Sequence, residues 1–206
     1  MSDFANDIAP IFTAVQLVRL RDRVKGSTNL AYGSWLGAME RPEREVRELA
    51  ARLNKGKRGA SGGRLAAERD SVGRMSALFE RDLALWMGIF SGEAATVTRF
   101  LNLLADLRLN VSPELEELKS LGQRNDYALR RMQGFTESLG AIARGEKTEE
   151  FDGDFPIYSE LLSIADSLEK LMARVDEKAE DAIRLVSLMT ASVDSQSLMD
   201  LLTGEP

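Results

Sequence analysis

From residue 118 onward the apolar residues keep a period that few folds satisfy. Leu118, Leu121, Asn125, Ala128, Met132, Phe135, Leu139 and Ile142 follow one another at steps of three and four, with one polar member. A second series, Leu161, Ala165, Leu168, Met172, Val175, Ala179, Ala182, Val186, Met189 and Val193, does the same. A sustained 3.5-residue repeat keeps one stripe facing a partner only if the segments are long helices packed side by side. The small alanines favour close packing among more than two helices. Asn125 is the one purposeful polar residue on the stripe, because a buried Asn costs stability and fixes register. The expected seam of a homodimer is therefore Asn125, Met132, Leu139, Leu161, Ala165, Leu168, Met172 and Val175.

The preceding residues are also helical in pattern. Pro10, Pro42, Pro113 and Pro156 lie at or near expected element starts, and no alternating β-rich run separates them. The expected helices cover about residues 9–25, 29–40, 42–54, 65–90, 94–109, 113–145 and 157–193. Arg41-Pro42 and Ser91-Gly92-Glu93 are read as breaks. "LALWMGIF" (83–90) is apolar on nearly all sides and is expected at the centre of a core. The fold class is all-α. An N-terminal helical bundle (1–110) precedes a coiled-coil unit (111–193), whose long helices form a parallel pair or an antiparallel hairpin, and a tail peptide (194–206).

Composition narrows function. The chain has 206 residues with 44% apolar content, enough for a substantial core. It has no Cys and no His, which removes disulfides, thiolate zinc sites, the commonest metal ligand and the usual general base. No metal, cofactor or catalytic residue is expected. The net charge of −6 disfavours nucleic acid, and the opening "MSDFANDIAPIFTAV" has acids where a signal peptide needs positive charge. No stretch suits membrane insertion, so a cytoplasmic location is expected. Charge is uneven: residues 1–110 carry 17 Lys+Arg against 13 Asp+Glu, and residues 111–206 carry 10 against 20. A basic face docking on an acidic one, or two functional regions, would account for this.

Between the two heptad series lies "RGEKTEEFDGDFPIYSEL" (144–161), longer than the usual link between helices. About a dozen extended residues reach roughly 40 Å, whereas a 16-residue helix spans about 24 Å. A parallel return is thus within reach, and so is a hairpin with an oversized loop. The stretch "SLGAIARGEKTEEFDGDFPIYSELLSIADSLEKLM" resembles the HAMP domain of bacterial chemoreceptor-type proteins over about residues 125–175. The resemblance implies that Ala141, Ile142 and Gly145 end the first helix and that Glu160 and Leu161 open the second. It further implies a parallel dimeric bundle, with Phe151 and Tyr158 as apolar anchors of the connector.

The tail, "SQSLMDLLTG", is similar to the short amphipathic peptide by which flagellar switch proteins and a chemotaxis phosphatase bind a phosphorylated response regulator. Leu198, Met199, Leu201 and Leu202 would form its apolar face and Asp200 its polar pin. Asp106 and Asn110, one helical turn apart, match the acid and amide that position water in some response-regulator phosphatases. The Lys55–Arg64 loop is basic and glycine-rich but lacks the order of a phosphate loop. The expectation is a non-enzymatic signal-transduction or adaptor protein of chemotaxis type, a homodimer bound to a response regulator or a receptor–kinase complex. The alternatives are a structural or assembly protein whose antiparallel hairpin binds a partner, and a phosphatase-like helper of a response regulator.

Overall fold

The computed structural model describes residues 2–25, 31–56, 62–148 and 155–191. Among them are five helices and no strand: α1 (Ser2–Lys25), α2 (Ala31–Asn54), α3 (Gly62–Asp106), α4 (Ser112–Arg144) and α5 (Ile157–Ala191). The all-α class is as expected. Two of the expected breaks are not there. α2 runs through Pro42, because Leu36, Glu43, Val46 and Ala50 form one buried stripe on both sides of the proline. Packing along that stripe outweighs the roughly 3 kcal/mol that an interior proline costs. α3 runs through Ser91-Gly92 for the same reason: Phe79, Asp82, Trp86, Phe90, Val97, Leu101 and Leu104 are buried in uninterrupted sequence.

The chain forms two compact units. Unit 1 comprises Met1–Asn29, Ala94–Leu118 and Glu169–Pro206, and unit 2 comprises Leu30–Glu93 and Lys119–Leu168. Helices α3, α4 and α5 each contribute to both, and the boundary expected at 110/111 falls inside unit 1.

In unit 1, Arg174 of α5 pairs with Glu117 of α4, and one turn further along α5 Lys178 pairs with Glu114 at 2.6 Å. Lys178 also donates to the Asn110 carbonyl at 3.2 Å, just before α4 begins. Moving forward on α5 is moving backward on α4, so the two are antiparallel. Arg21, near the end of α1, pairs with Asp176 at 2.6 Å and Glu180 at 3.0 Å, near the start of α5's share of the unit. The core contains Leu17, Leu20, Val97, Phe100, Leu101, Leu104, Val175 and Ala179.

α3 ends with Leu109 N–H on the Leu104 carbonyl (3.1 Å) and Arg108 N–H on the Ala105 carbonyl (2.8 Å). This is the turn that normally places glycine in the left-handed region. Here Arg108 occupies it, at φ 61°. The Asn110 side chain accepts from the Ser112 N–H at 3.1 Å and so caps α4. Asp106 ends α3 and Asn110 lies in the following turn, so the two do not share one helix face.

In unit 2, α3 and α4 are antiparallel: Ser76 donates to the Thr136 carbonyl (2.9 Å), Phe79 meets Phe135 (5.8 Å between centroids), and Trp86 reaches Asn125. α4 and α5 are antiparallel as well. Tyr127 stacks edge-on against Phe155 at 5.4 Å, whereas Arg124, one turn earlier, bonds Glu160 and Ser163 further on. The parallel pair implied by the HAMP resemblance is therefore not the arrangement adopted. Of the two directions left open by the heptads, the chain takes the hairpin.

The two described ends of the connector, Thr148 and Phe155, are each held by α2. α4 ends at Gly145, whose φ of 87° allows its N–H to reach the Ile142 carbonyl and the Glu146 N–H to reach that of Ala141. Asn54 then bonds both the N–H and the carbonyl of Thr148, at 3.1 and 2.8 Å. Arg47, two turns back on α2, holds the Phe155 carbonyl at 2.7 Å. α5 thus starts level with Tyr127 rather than with Arg144, about 25 Å short of the end of α4. The length of the connector covers that offset. Its anchor Phe151 lies outside the described residues.

Candidate functional site

Among the described residues, a dense polar network surrounds the first turn of α5, inside unit 2. Ile157 and Tyr158 bring N–H groups that no helical carbonyl can satisfy. Glu43, projecting from α2 and 4% exposed, accepts both: Ile157 N–H to Oε1 at 2.9 Å and Tyr158 N–H to Oε2 at 3.1 Å. Its negative charge also suits the positive end of the helix dipole. Arg47, one turn on, donates to the same carboxylate through Nε (3.0 Å) and Nη2 (2.5 Å). The Arg47 guanidinium lies 4.0 Å from the Phe135 ring centroid. One ion pair therefore joins α2, the connector, α4 and α5.

The second residue of α5 continues the network downward. Tyr158 is 1% exposed and donates its hydroxyl to Asp82 Oδ2 at 3.0 Å. Burial, then the adjacent Asp82 carboxylate, pushes the phenol far above its ordinary value, so it stays a neutral donor. Its ring packs on Phe79 (5.5 Å) and Trp35 (6.5 Å). Below it Trp86 donates Nε1–H to Asn125 Oδ1 at 2.7 Å and meets Tyr32 at 6.1 Å. Above the ion pair lies a cleft of about 270 Å³ lined by Glu40, Glu43, Arg44, Arg47, Phe155, Pro156 and Ser159. The charged groups on its floor are committed to one another and to the start of α5, so the arrangement positions a helix. Among the described residues no group of three or more acids is placed to hold a metal ion.

The residues expected to line a dimer axis are brought together within a single copy. Asn125, Met132, Leu139, Leu161, Ala165 and Leu168 are buried in unit 2, and in unit 1 Val175 is buried and Met172 half-buried. Asn125 is buried, and its side-chain oxygen receives the Trp86 N–H from α3 within the same chain. Tyr158, expected as an apolar anchor of the connector, is instead the second residue of α5 and bonds Asp82 of α3. Leu198, Met199, Asp200, Leu201 and Leu202 lie outside the described residues. Glu43 and Asp82 escaped the sequence reading, yet each carries a signal. Glu43 continues the stripe Leu36–Met39–Val46–Ala50, and Asp82 lies between Phe79 and Trp86. A charge inside an apolar stripe marks a buried, partnered group.

"LALWMGIF" departs from expectation in a different way. Trp86 and Phe90 are buried, but Leu85 and Met87 are 51% and 52% exposed, and Gly88 is exposed beside them. No helix is long and apolar enough to cross a membrane among the described residues. No family model, curated protein or solved structure matches the chain.

Proposed function

We propose that this chain is a non-enzymatic helical-bundle protein that acts by binding other proteins, as an adaptor or assembly element. The observation that carries the reading is the outer face of α3. Residues 83–92 contain no charge in a chain that is 29% charged, and Leu85 and Met87 project from that run with half their surface exposed. Exposed apolar surface of this kind marks interaction sites. The antiparallel α4–α5 hairpin favours the assembly version over a relay that rotates parallel helices, because its seam is closed within one chain. Under this proposal the protein works in the cytoplasm. A response regulator is one candidate partner, approached through the tail residues Leu198–Leu202.

A photo-crosslinking residue placed at Met87 in the full chain, expressed in its own cells, tests the reading. A discrete protein adduct is expected, and it should disappear when Leu85→Glu is added while circular dichroism stays unchanged. Absence of any adduct from position 87, or an adduct indifferent to Leu85→Glu, defeats the proposal for this face.

A further inference from the structure

Helix α3 carries a second stripe on the side turned away from the core of unit 2. Gly63, Ala67, Asp70, Arg74, Ala77, Arg81, Ala84 and Gly88 follow one another at steps of four and three, and all eight are exposed. That is the repeat of a helix seam. Five of the eight are Gly or Ala, so another backbone can come close, and a Cβ added at Gly63 or Gly88 would meet nothing within 4 Å. The other three are charged. Asp70 and Arg74 form no hydrogen bond or ion pair among the described residues. Arg81, with 72% of its side chain exposed, has a 3.4 Å contact with the neighbouring Asp82. The stripe is its own complement when read backwards. Turned end for end about a point between Met75 and Ser76, Gly63 falls opposite Gly88, Ala67 opposite Ala84, Asp70 opposite Arg81 and Arg74 opposite Ala77.

We infer that α3 is a homodimerisation helix, its residues 63–88 pairing antiparallel with the same residues of a second copy. This rests on the reading of the α3 face as an interaction surface and names its occupant. Each pairing occurs twice, as an isologous two-fold interface requires. Asp70 and Arg81 differ by only about 20° around the helix, so both sit at the centre of the stripe and meet across the seam. The small residues toward either end let the helix axes approach to about 8 Å. Arg74 lies over Ala77 rather than over another long side chain. On the flanks, Met87 comes beside Ala66 and Leu85 beside the aliphatic stem of Arg64, which covers the exposed apolar residues of the charge-free run. A parallel pair in register would instead set Arg74 against Arg74 and Arg81 against Arg81, which like-charge repulsion disfavours.

The chain has no cysteine, so introduced thiols report the contact directly. In the full chain carrying Ala67→Cys and Ala84→Cys, the two thiols of one copy are about 26 Å apart along α3, and a disulfide can form only between copies. Oxidation at tens of micromolar should give a covalent dimer whose linked peptides join 67 to 84. Sedimentation of the chain without added cysteines is the second measurement, with circular dichroism as the control for folding. Wild type should be a dimer and Ala84→Glu a monomer of unchanged helicity. Asp70→Arg and Arg81→Asp should each weaken the dimer about tenfold or more. The double variant Asp70→Arg/Arg81→Asp should recover most of the loss, which a merely structural role for either residue would not produce. The thiol pair and the charge exchange keep the test decisive even if Ala84→Glu misfolds. Linked peptides joining 67 to 67 or 84 to 84 overturn the inference, as does a dimer that Ala84→Glu leaves intact. A monomeric wild type whose position 87 crosslinks to a different protein overturns it and leaves the reading of the α3 face standing. A monomeric wild type with no adduct from position 87 overturns both.

Discussion

At the scale of single residues, the molecule carries one poorly chosen cap and one costly but necessary charge. Arg108 holds the left-handed position that ends α3, at φ 61°. A side chain there costs roughly 1–2 kcal/mol, part of which glycine would give back as lost chain entropy. Arg108→Gly should therefore stabilise the protein by about 1 kcal/mol and raise the melting midpoint by about 3 °C, read by thermal circular dichroism; a lower midpoint would show that the arginine side chain contributes more than the strain it causes. Glu43 is the opposite case. Replacing it with Ala leaves Arg47 largely buried without its counter-charge and uncaps Ile157 and Tyr158. The expected loss is about 3–5 kcal/mol in urea unfolding. If Glu43→Ala costs under about 1 kcal/mol, water replaces the carboxylate at the helix start and the ion pair is not the anchor of α5. The position of Glu43 on an apolar stripe was readable in the sequence, but its partner, more than a hundred residues away, was not.

At the scale of elements, the helix ends were easier to read than the helix interiors. Gly145 and the Asn110–Pro113 cap carry local chemistry that terminates or starts a helix wherever it occurs, and the structure ends α4 and starts it there. Pro42 and Ser91-Gly92 carry equally local signals, but long-range packing of the stripes around Val46 and Trp86 decides against them. The α4–α5 clamp in unit 1 offers a test of electrostatics between elements. Burial alone would raise the Glu114 carboxyl, but the hydrogen bond from Lys178 and the charges of Lys178 and Arg174 prevail and hold it below its ordinary value. A carboxyl held low in the folded state adds stability that is complete above its unfolded value, near 4.5, and that is lost as pH falls through the lower folded value. The urea midpoint of wild type should exceed that of Glu114→Gln at pH 6, and the gap should close toward pH 3. A gap that persists at pH 3 would mean that the two side chains differ in packing rather than in charge.

At the scale of the whole chain, the heptads foretold long packed helices and almost every residue of their seam, but neither helix direction nor partner. A 3.5-residue repeat reads the same in a parallel and an antiparallel pair, and it does not say whether the facing stripe belongs to the same chain. What decides both here is chemistry outside the seam: the Asn54–Thr148 clasp and the Arg47–Phe155 bond hold the two described ends of the connector on α2, and Glu43 receives α5 where it starts. With the seam closed inside one copy, folding should not require a second. The melting midpoint of the Ala84→Glu monomer should accordingly be independent of protein concentration over about two decades, whereas a chain whose α4–α5 seam was completed only by a partner would melt lower on each dilution. A midpoint that falls on each dilution would return Ala165, Leu168 and Val175 to a subunit interface.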